Sequence, residues 1–208
     1  MHWETAYADK RPTEVSWFQP QPAQSLRLIE ESNPGNDAPI LDVGAGASML
    51  VDCLLDAGYD DVSILDISGA ALREVRERLG SRAADITIIE SNVLSFEPQR
   101  RYALWHDRAA FHFLTDASER LSYVKLLRQS LQPGGYLVLA TFAADGPQRC
   151  SGLPVQRYDV QQLETLLGAD FVLRSHILHD HSTPSGSVQQ FQYSCWQFKG
   201  EATTARVE

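Results

Sequence analysis

Ile40-Leu41-Asp42-Val43-Gly44-Ala45-Gly46 is the stretch on which the reading of this chain turns. Three of its first four residues are apolar, which makes a short buried strand, and Gly44 and Gly46 then let the backbone turn tightly and pass close to a ligand. The helix-like stretch Ser48–Ala57 follows, so the glycines sit at a strand-to-helix turn. In open α/β sheets that turn forms one wall of the crevice beyond the carboxyl ends of the strands, where ligands bind. A second strand, Val62–Leu65, ends at Asp66, 24 residues after Asp42. A carboxylate there is placed to accept hydrogen bonds from both hydroxyls of an adenosine ribose.

A dinucleotide site would continue the pattern with a third glycine at position 49, where this chain has Met49. That glycine normally allows close packing of helix on strand, which Met obstructs. No basic residue occurs between Pro39 and Gly69 to balance a pyrophosphate, and Asp42 adds negative charge. The crevice therefore suits an adenosine that carries a cationic group better than one that carries phosphates. The plainer alternative is a bare tight turn beside a surface Asp66.

Further strands are expected at Ile86–Ile89, Tyr102–Trp105, Tyr136–Phe142, Phe171–Leu178 and Val188–Phe198. Helical spacing covers Ala23–Ser32, Ala70–Leu79 (with Ser68 as N-cap), Ala117–Leu131 and Val160–Leu167 (with Asp159 as cap). Pro133-Gly134-Gly135 reads as a hard stop before the strand at Tyr136. Strand and helix alternate through five units, which predicts an α/β, Rossmann-like, seven-stranded and mostly parallel sheet with helices on both faces. The last two strands have only the turn Thr183-Pro184-Ser185-Gly186 between them, so one strand should run antiparallel. The whole of 1–208 reads as one domain: 1–35 an N-terminal lid, 36–199 the core, and 200–208 a loose tail.

Composition excludes more than it names. Lys plus Arg total 18 and Asp plus Glu total 27, so 18 − 27 gives a net charge of −9. That balance argues against nucleic acid and against an anionic membrane surface as partners, because both are held by clustered Lys and Arg. No apolar run reaches the ~20 residues of a spanning helix. The start, Met1-His2-Trp3-Glu4, is not a signal sequence. Cys53, Cys150 and Cys195 are odd in number and widely spaced, which fits a reduced, cytoplasmic protein and excludes a cysteine-based zinc site. His176, His179 and His181 have no fourth ligand nearby, and no metal is expected.

From Trp3 to Phe198 the chain resembles the class I S-adenosylmethionine-dependent methyltransferases. Ile40–Gly46 matches that family's first motif, Ile64-Leu65-Asp66 its acidic strand end, and Leu131–Leu137, with Pro133-Gly134-Gly135, its pre-strand turn. The resemblance implies S-adenosyl-L-methionine as cofactor and S-adenosyl-L-homocysteine as product. It sets Gly44 and Gly46 at the methionine part and Asp66 at the ribose, and it counts Asp42 and Ile67 among the cofactor-binding residues. Asn92 and Val93 then frame the adenine; Asn92 stands where the family usually has Asp, and its side-chain oxygen can accept the same bond. Trp3, Tyr7, Lys10 and Trp17-Phe18 resemble an aromatic lid over the cofactor, in which Trp17 meets the sulfonium by a cation–π contact. The alternative is that Trp17 and Phe18 staple the following helix.

After the fourth strand, Trp105-His106-Asp107-Arg108-Ala109-Ala110-Phe111-His112-Phe113-Leu114 should line the acceptor side. The stretch is similar to segments of thiopurine-type S-methyltransferases and of small protein-lysine methyltransferases. On that resemblance Asp107, Arg108 and His112 are the catalytic candidates. Asp107 holds the methionine amino group or orients the nucleophile; otherwise it caps a helix or pairs with Arg108. An imidazole at 112 can take a proton from a thiol or amine, or it is a packed core residue. His106 is open in the same way. Cys150 is a lid element or an incidental thiol. Methyl transfer to a thiolate leans on alignment and water exclusion rather than on an acid–base cluster. The expected acceptor is therefore a small molecule with a soft nucleophile, a thiol or an inorganic sulfur species, and the alternative is a protein lysine.

Overall fold

The structure is a computed structural model that describes residues 2–9 and 12–200; the expected loose tail from 201 onward, and Lys10 of the lid pattern, lie outside the described residues. The first strands form where the apolar runs predict: β1 (Ile40–Val43), β2 (Val62–Asp66), β3 (Ile86–Glu90), β4 (Tyr102–Arg108) and β5 (Leu131–Phe142). A small hairpin, β6 (Arg149–Cys150) and β7 (Leu153–Pro154), precedes β8 (Phe171–Ser182) and β9 (Val188–Phe198). The helices are α1 (His2–Asp9), α2 (Ala23–Ser32), α3 (Leu50–Asp56), α4 (Gly69–Leu79), α5 (Ala117–Ser130) and α6 (Val160–Leu167).

One seven-stranded sheet has the order β3-β2-β1-β4-β5-β9-β8. β9 runs antiparallel to both neighbours and is the reversed strand that the helix-free final connection predicts. Alternate residues of each strand point to opposite faces. Ile40, Ile64, Leu104 and Val138 meet residues of α2, α3 and α4 in one core cluster. Leu41, Leu65, Trp105 and Leu137 meet α5 and α6 in the other. Ser68 and Asp159 cap α4 and α6 as expected, Asp159 through a full capping box with Gln162.

The β3–β4 link, where the sequence offers no helical spacing, carries only a short 3-10 turn at Val93–Ser95 packed on α5; its segment contains Pro98. One expectation is corrected. Pro133-Gly134-Gly135 is not a stop but a bulge inside β5. Leu131 pairs with Tyr102, the register then slips, and Tyr136 pairs with Leu104. The backbone is crowded there: a Cβ on Gly135 would lie 2.9 Å from the carbonyl oxygens of Ala103 and Gln132.

Candidate active site

The carboxyl ends of β1, β2 and β4 open into a cavity of about 250 Å³, roofed by Trp3, Tyr7 and Trp17. Gly44, Asp66, Ile67, Asn92, Val93 and Arg108 all line it. Gly44 and Gly46 have φ of +64° and +54°, the left-handed region that favours glycine. Close approach adds to the requirement. A Cβ on Gly44 would stand 2.4 Å from Ala110 Cβ, and one on Gly46 would stand 2.1 Å from the Tyr7 hydroxyl. Gly46 is thus covered by Tyr7 and reaches neither cavity wall.

Asp66 ties the first two strand ends together. Its Oδ2 accepts from the Gly46 N–H at 2.7 Å, and its Oδ1 from the Ser68 N–H at 2.8 Å. Burial pushes its carboxyl above the usual carboxylate range, against the pull of those amides. Asn92 lines the cavity too, and its Oδ1 accepts from the Leu94 N–H at 2.9 Å, which caps the 3-10 turn.

A smaller cavity of about 40 Å³ shares Tyr7, Trp17, Gly44 and Arg108 with the first. Its floor contains Asp42, His106 and Ser25. Asp42 and His106 face each other in register on β1 and β4. The Asp42 Oδ1–His106 Nδ1 distance is 2.6 Å, and His106 Nε2 lies 2.8 Å from Ser25 Oγ on α2. All three residues are buried.

Arg108 is held rigidly between sheet and lid. Nε donates to the Tyr193 hydroxyl at 2.9 Å, Nη1 donates to the Trp17 carbonyl at 3.0 Å, and the guanidinium carbon stands 4.8 Å from the centre of the Phe191 ring. Nη2 is buried with no hydrogen-bond partner. The lid has further ties. Trp17 Nε1 donates to the Tyr7 hydroxyl at 3.2 Å, Trp3 packs edge-on against Phe113 at 4.9 Å, and His181 Nε2 donates to the Ser16 carbonyl. The Glu4 carboxylate accepts from the Ala70 N–H in the first turn of α4, where the helix dipole favours an anion.

The structure brings Arg108, Trp17, Asp42, Gly44, Asp66, Ile67, Asn92 and Val93 to the cavity walls. It does not bring Asp107 or His112 there. The Asp107 carboxylate is fully buried and taken up by the N–H groups of Ala110 and Phe111 and by the Tyr123 hydroxyl. Burial pushes it up to about 6 despite these donors. It makes no ion pair with Arg108. His112 packs against Phe113 and Phe142 with no exposed surface, and burial, then the Arg108 charge, pushes it down to about 3. Cys150 lines the cavity, and burial raises its thiol to about 11. Among the described residues no group of His, Cys, Asp and Glu can hold a metal ion, and no helix is long and apolar enough to cross a membrane. Ser25 was not legible as a site residue: on α2 it reads as one more position on the buried stripe of an amphipathic helix.

Residues 40–135 match the family described as "Methyltransferase domain". A mouse (Mus musculus) protein, eEF1A lysine and N-terminal methyltransferase, is 26% identical over 122 residues, which is 57% of this chain and 17% of the mouse protein. The chain thus spans about a sixth of that relative's length. Among solved structures, one described as "Conversion of a Disulfide Bond into a Thioacetal Group during Echinomycin Biosynthesis" has a TM-score of 0.75 at 15% identity, covering 96% of this chain and 93% of the other. N-methyltransferase NodS from Bradyrhizobium japonicum WM9, in complex with S-adenosyl-L-homocysteine, has a TM-score of 0.72 at 12% identity, covering 95% and 99%. At these identities the likeness is one of fold, a Rossmann-like methyltransferase fold. The methyltransferase-domain match lies over β1 to the start of β5, with the glycine turn and the acidic strand end at the cavity, and it supports a transferase enzyme.

Proposed function

We propose that the chain transfers a methyl group from S-adenosyl-L-methionine to a small molecule bearing a soft nucleophile, a thiol or an inorganic sulfur species. The observation that carries the donor is a pair of opposite charges in the smaller cavity. Asp42, with Oδ2 free of hydrogen bonds among the described residues, and Arg108, with its unpartnered Nη2, both line that space. An α-amino-acid end carries a matching ammonium and carboxylate. The larger cavity, which shares Gly44 with it, offers Asp66 for a ribose and the Asn92–Val93 turn for a base.

S-adenosyl-L-methionine supplies an electrophilic methyl group on a sulfonium. The chain's own work is to bind, orient and keep water out. Asp66 accepts ribose hydroxyls on the lone pairs that Gly46 and Ser68 leave free. Arg108 donates to the carboxylate end while its other nitrogens stay anchored. Trp3, Trp17 and Phe113 close the acceptor side with aromatic faces, which favour a cation and exclude water.

The acceptor preference rests on what lines that side. Among the described residues of the larger cavity there is no imidazole, and its thiol and phenol, Cys150 and Tyr7, are both pushed up by burial. An acceptor that reaches the site already ionised, as a thiolate does, needs no base. Similarity to the mouse lysine methyltransferase favours a second reading, methylation of a protein amine. The reduced state of all three cysteines agrees with a cytoplasmic setting.

The test has two parts. Calorimetry should give saturable binding of S-adenosyl-L-homocysteine that Asp66→Ala weakens by at least tenfold; equal affinity in the variant would defeat this placement of the donor. A screen of tritiated-methyl transfer onto small thiols, sulfide, amines and lysate proteins should label the sulfur acceptors. Label confined to protein would establish the second reading instead.

A further inference from the structure

We infer that His106 and Ser25 are positioning residues, a two-step relay that fixes Asp42 so that its free oxygen faces the ammonium end of the donor. The inference rests on the donor reading above. It starts from register: Asp42 and His106 are direct partners on adjacent parallel strands, so their side chains emerge side by side on the same face. Ser25 comes down onto them from α2, 81 residues from His106 in sequence.

The direction of the relay follows from the groups. A carboxylate only accepts, so the 2.6 Å contact is a donation from His106 Nδ1–H to Asp42 Oδ1. In the neutral imidazole Nε2 is then the acceptor, and the Ser25 hydroxyl donates into it at 2.8 Å. Both donations run toward Asp42, and in a dry interior such chains polarise and strengthen one another. Every member is buried, and His106 is the one side chain that holds Asp42 among the described residues. With Oδ1 fixed, Oδ2 is left to the cavity that Arg108 also lines. His106 does not act as a base here, because both ring nitrogens are engaged.

Two ligands separate positioning from folding. S-adenosyl-L-homocysteine carries the amino-acid end; 5′-deoxy-5′-methylthioadenosine has the same adenosine and sulfur without it. By calorimetry, His106→Gln, which reaches Ser25 but leaves Asp42 Oδ1 without its donor, should weaken the first ligand about tenfold. It should leave the second unchanged. His106→Asn, whose amide takes the place of Nδ1–H, should restore most of the loss. Ser25→Ala should weaken only the first ligand, by a smaller factor, and carries the comparison if His106→Gln does not melt as a folded protein. Equal loss of both ligands, or no loss of either, overturns the positioning role and leaves the donor reading standing. If the unaltered chain binds neither ligand, the donor reading falls and this inference with it.

Discussion

Arg108 and Trp17 lie 91 residues apart and are joined by a single hydrogen bond, from Nη1 to the main-chain carbonyl, at 3.0 Å. The bond makes one side chain serve two purposes, since the same guanidinium lines both cavities. Arg108→Lys keeps a charge but not the fork that spans Tyr193, Trp17 and the cavity. We expect at least a tenfold fall in turnover and faster chymotryptic cleavage at Trp17 and Phe18. A variant with full turnover and unchanged cleavage would remove Arg108 from both roles.

Gly44→Ala should be among the most damaging small substitutions. The left-handed backbone costs an alanine about 1–2 kcal/mol, and the new methyl would overlap Ala110 Cβ at 2.4 Å. A lower melting temperature together with loss of S-adenosyl-L-homocysteine binding is expected. Adding Ala110→Gly should recover part of both. If the second change recovers nothing, the crowding at Ala110 is not what makes the glycine necessary.

Asp107 is expected to matter for stability more than for binding. Asparagine keeps one acceptor oxygen and turns an NH₂ toward groups that are all donors. The cost is about 2–3 kcal/mol, a fall of roughly 5–10 °C in a chain of this size. Affinity for S-adenosyl-L-homocysteine below the transition should change little. The reverse pattern, intact melting with lost affinity, would return Asp107 to the cofactor.

His112 offers a test by pH. Its folded value is about 3 against an ordinary 6.5, so the unfolded chain binds a proton that the folded one refuses. The stability this represents is present above 6.5 and is lost as pH falls toward 3, on the order of a few kcal/mol over the whole span. His112→Phe keeps a ring between Phe113 and Phe142 and removes the titration. Melting measured from pH 7.5 down to 4.5 should fall less steeply in the variant. Parallel curves would show that the imidazole is not buried neutral.

The glycine turn and Asp66 were legible because their signals are local: an apolar run, two glycines and an acid at a strand end need no distant partner. The reversed strand followed for the same reason, from the helix-free step between β8 and β9. Ser25, His106 and Asp42 were not legible as a unit. Their meeting depends on strand register and on how α2 settles, across separations of 64 and 81 residues. Pro133-Gly134-Gly135 misled because a bulge and a chain stop use the same residues; only the pairing on both sides of it tells them apart. Asp107 was pointed at the crevice by its position just past the expected strand Tyr102–Trp105; it lies inside β4, and Tyr123, on α5, takes up its carboxylate.

The Tyr7 hydroxyl resting on Gly46 has a kinetic meaning. A ligand that needs the backbone of that turn meets Tyr7 first, and displacement of that side chain is the expected gate on its arrival. The observed association rate should then level off as ligand concentration rises, and Tyr7→Ala should abolish the plateau.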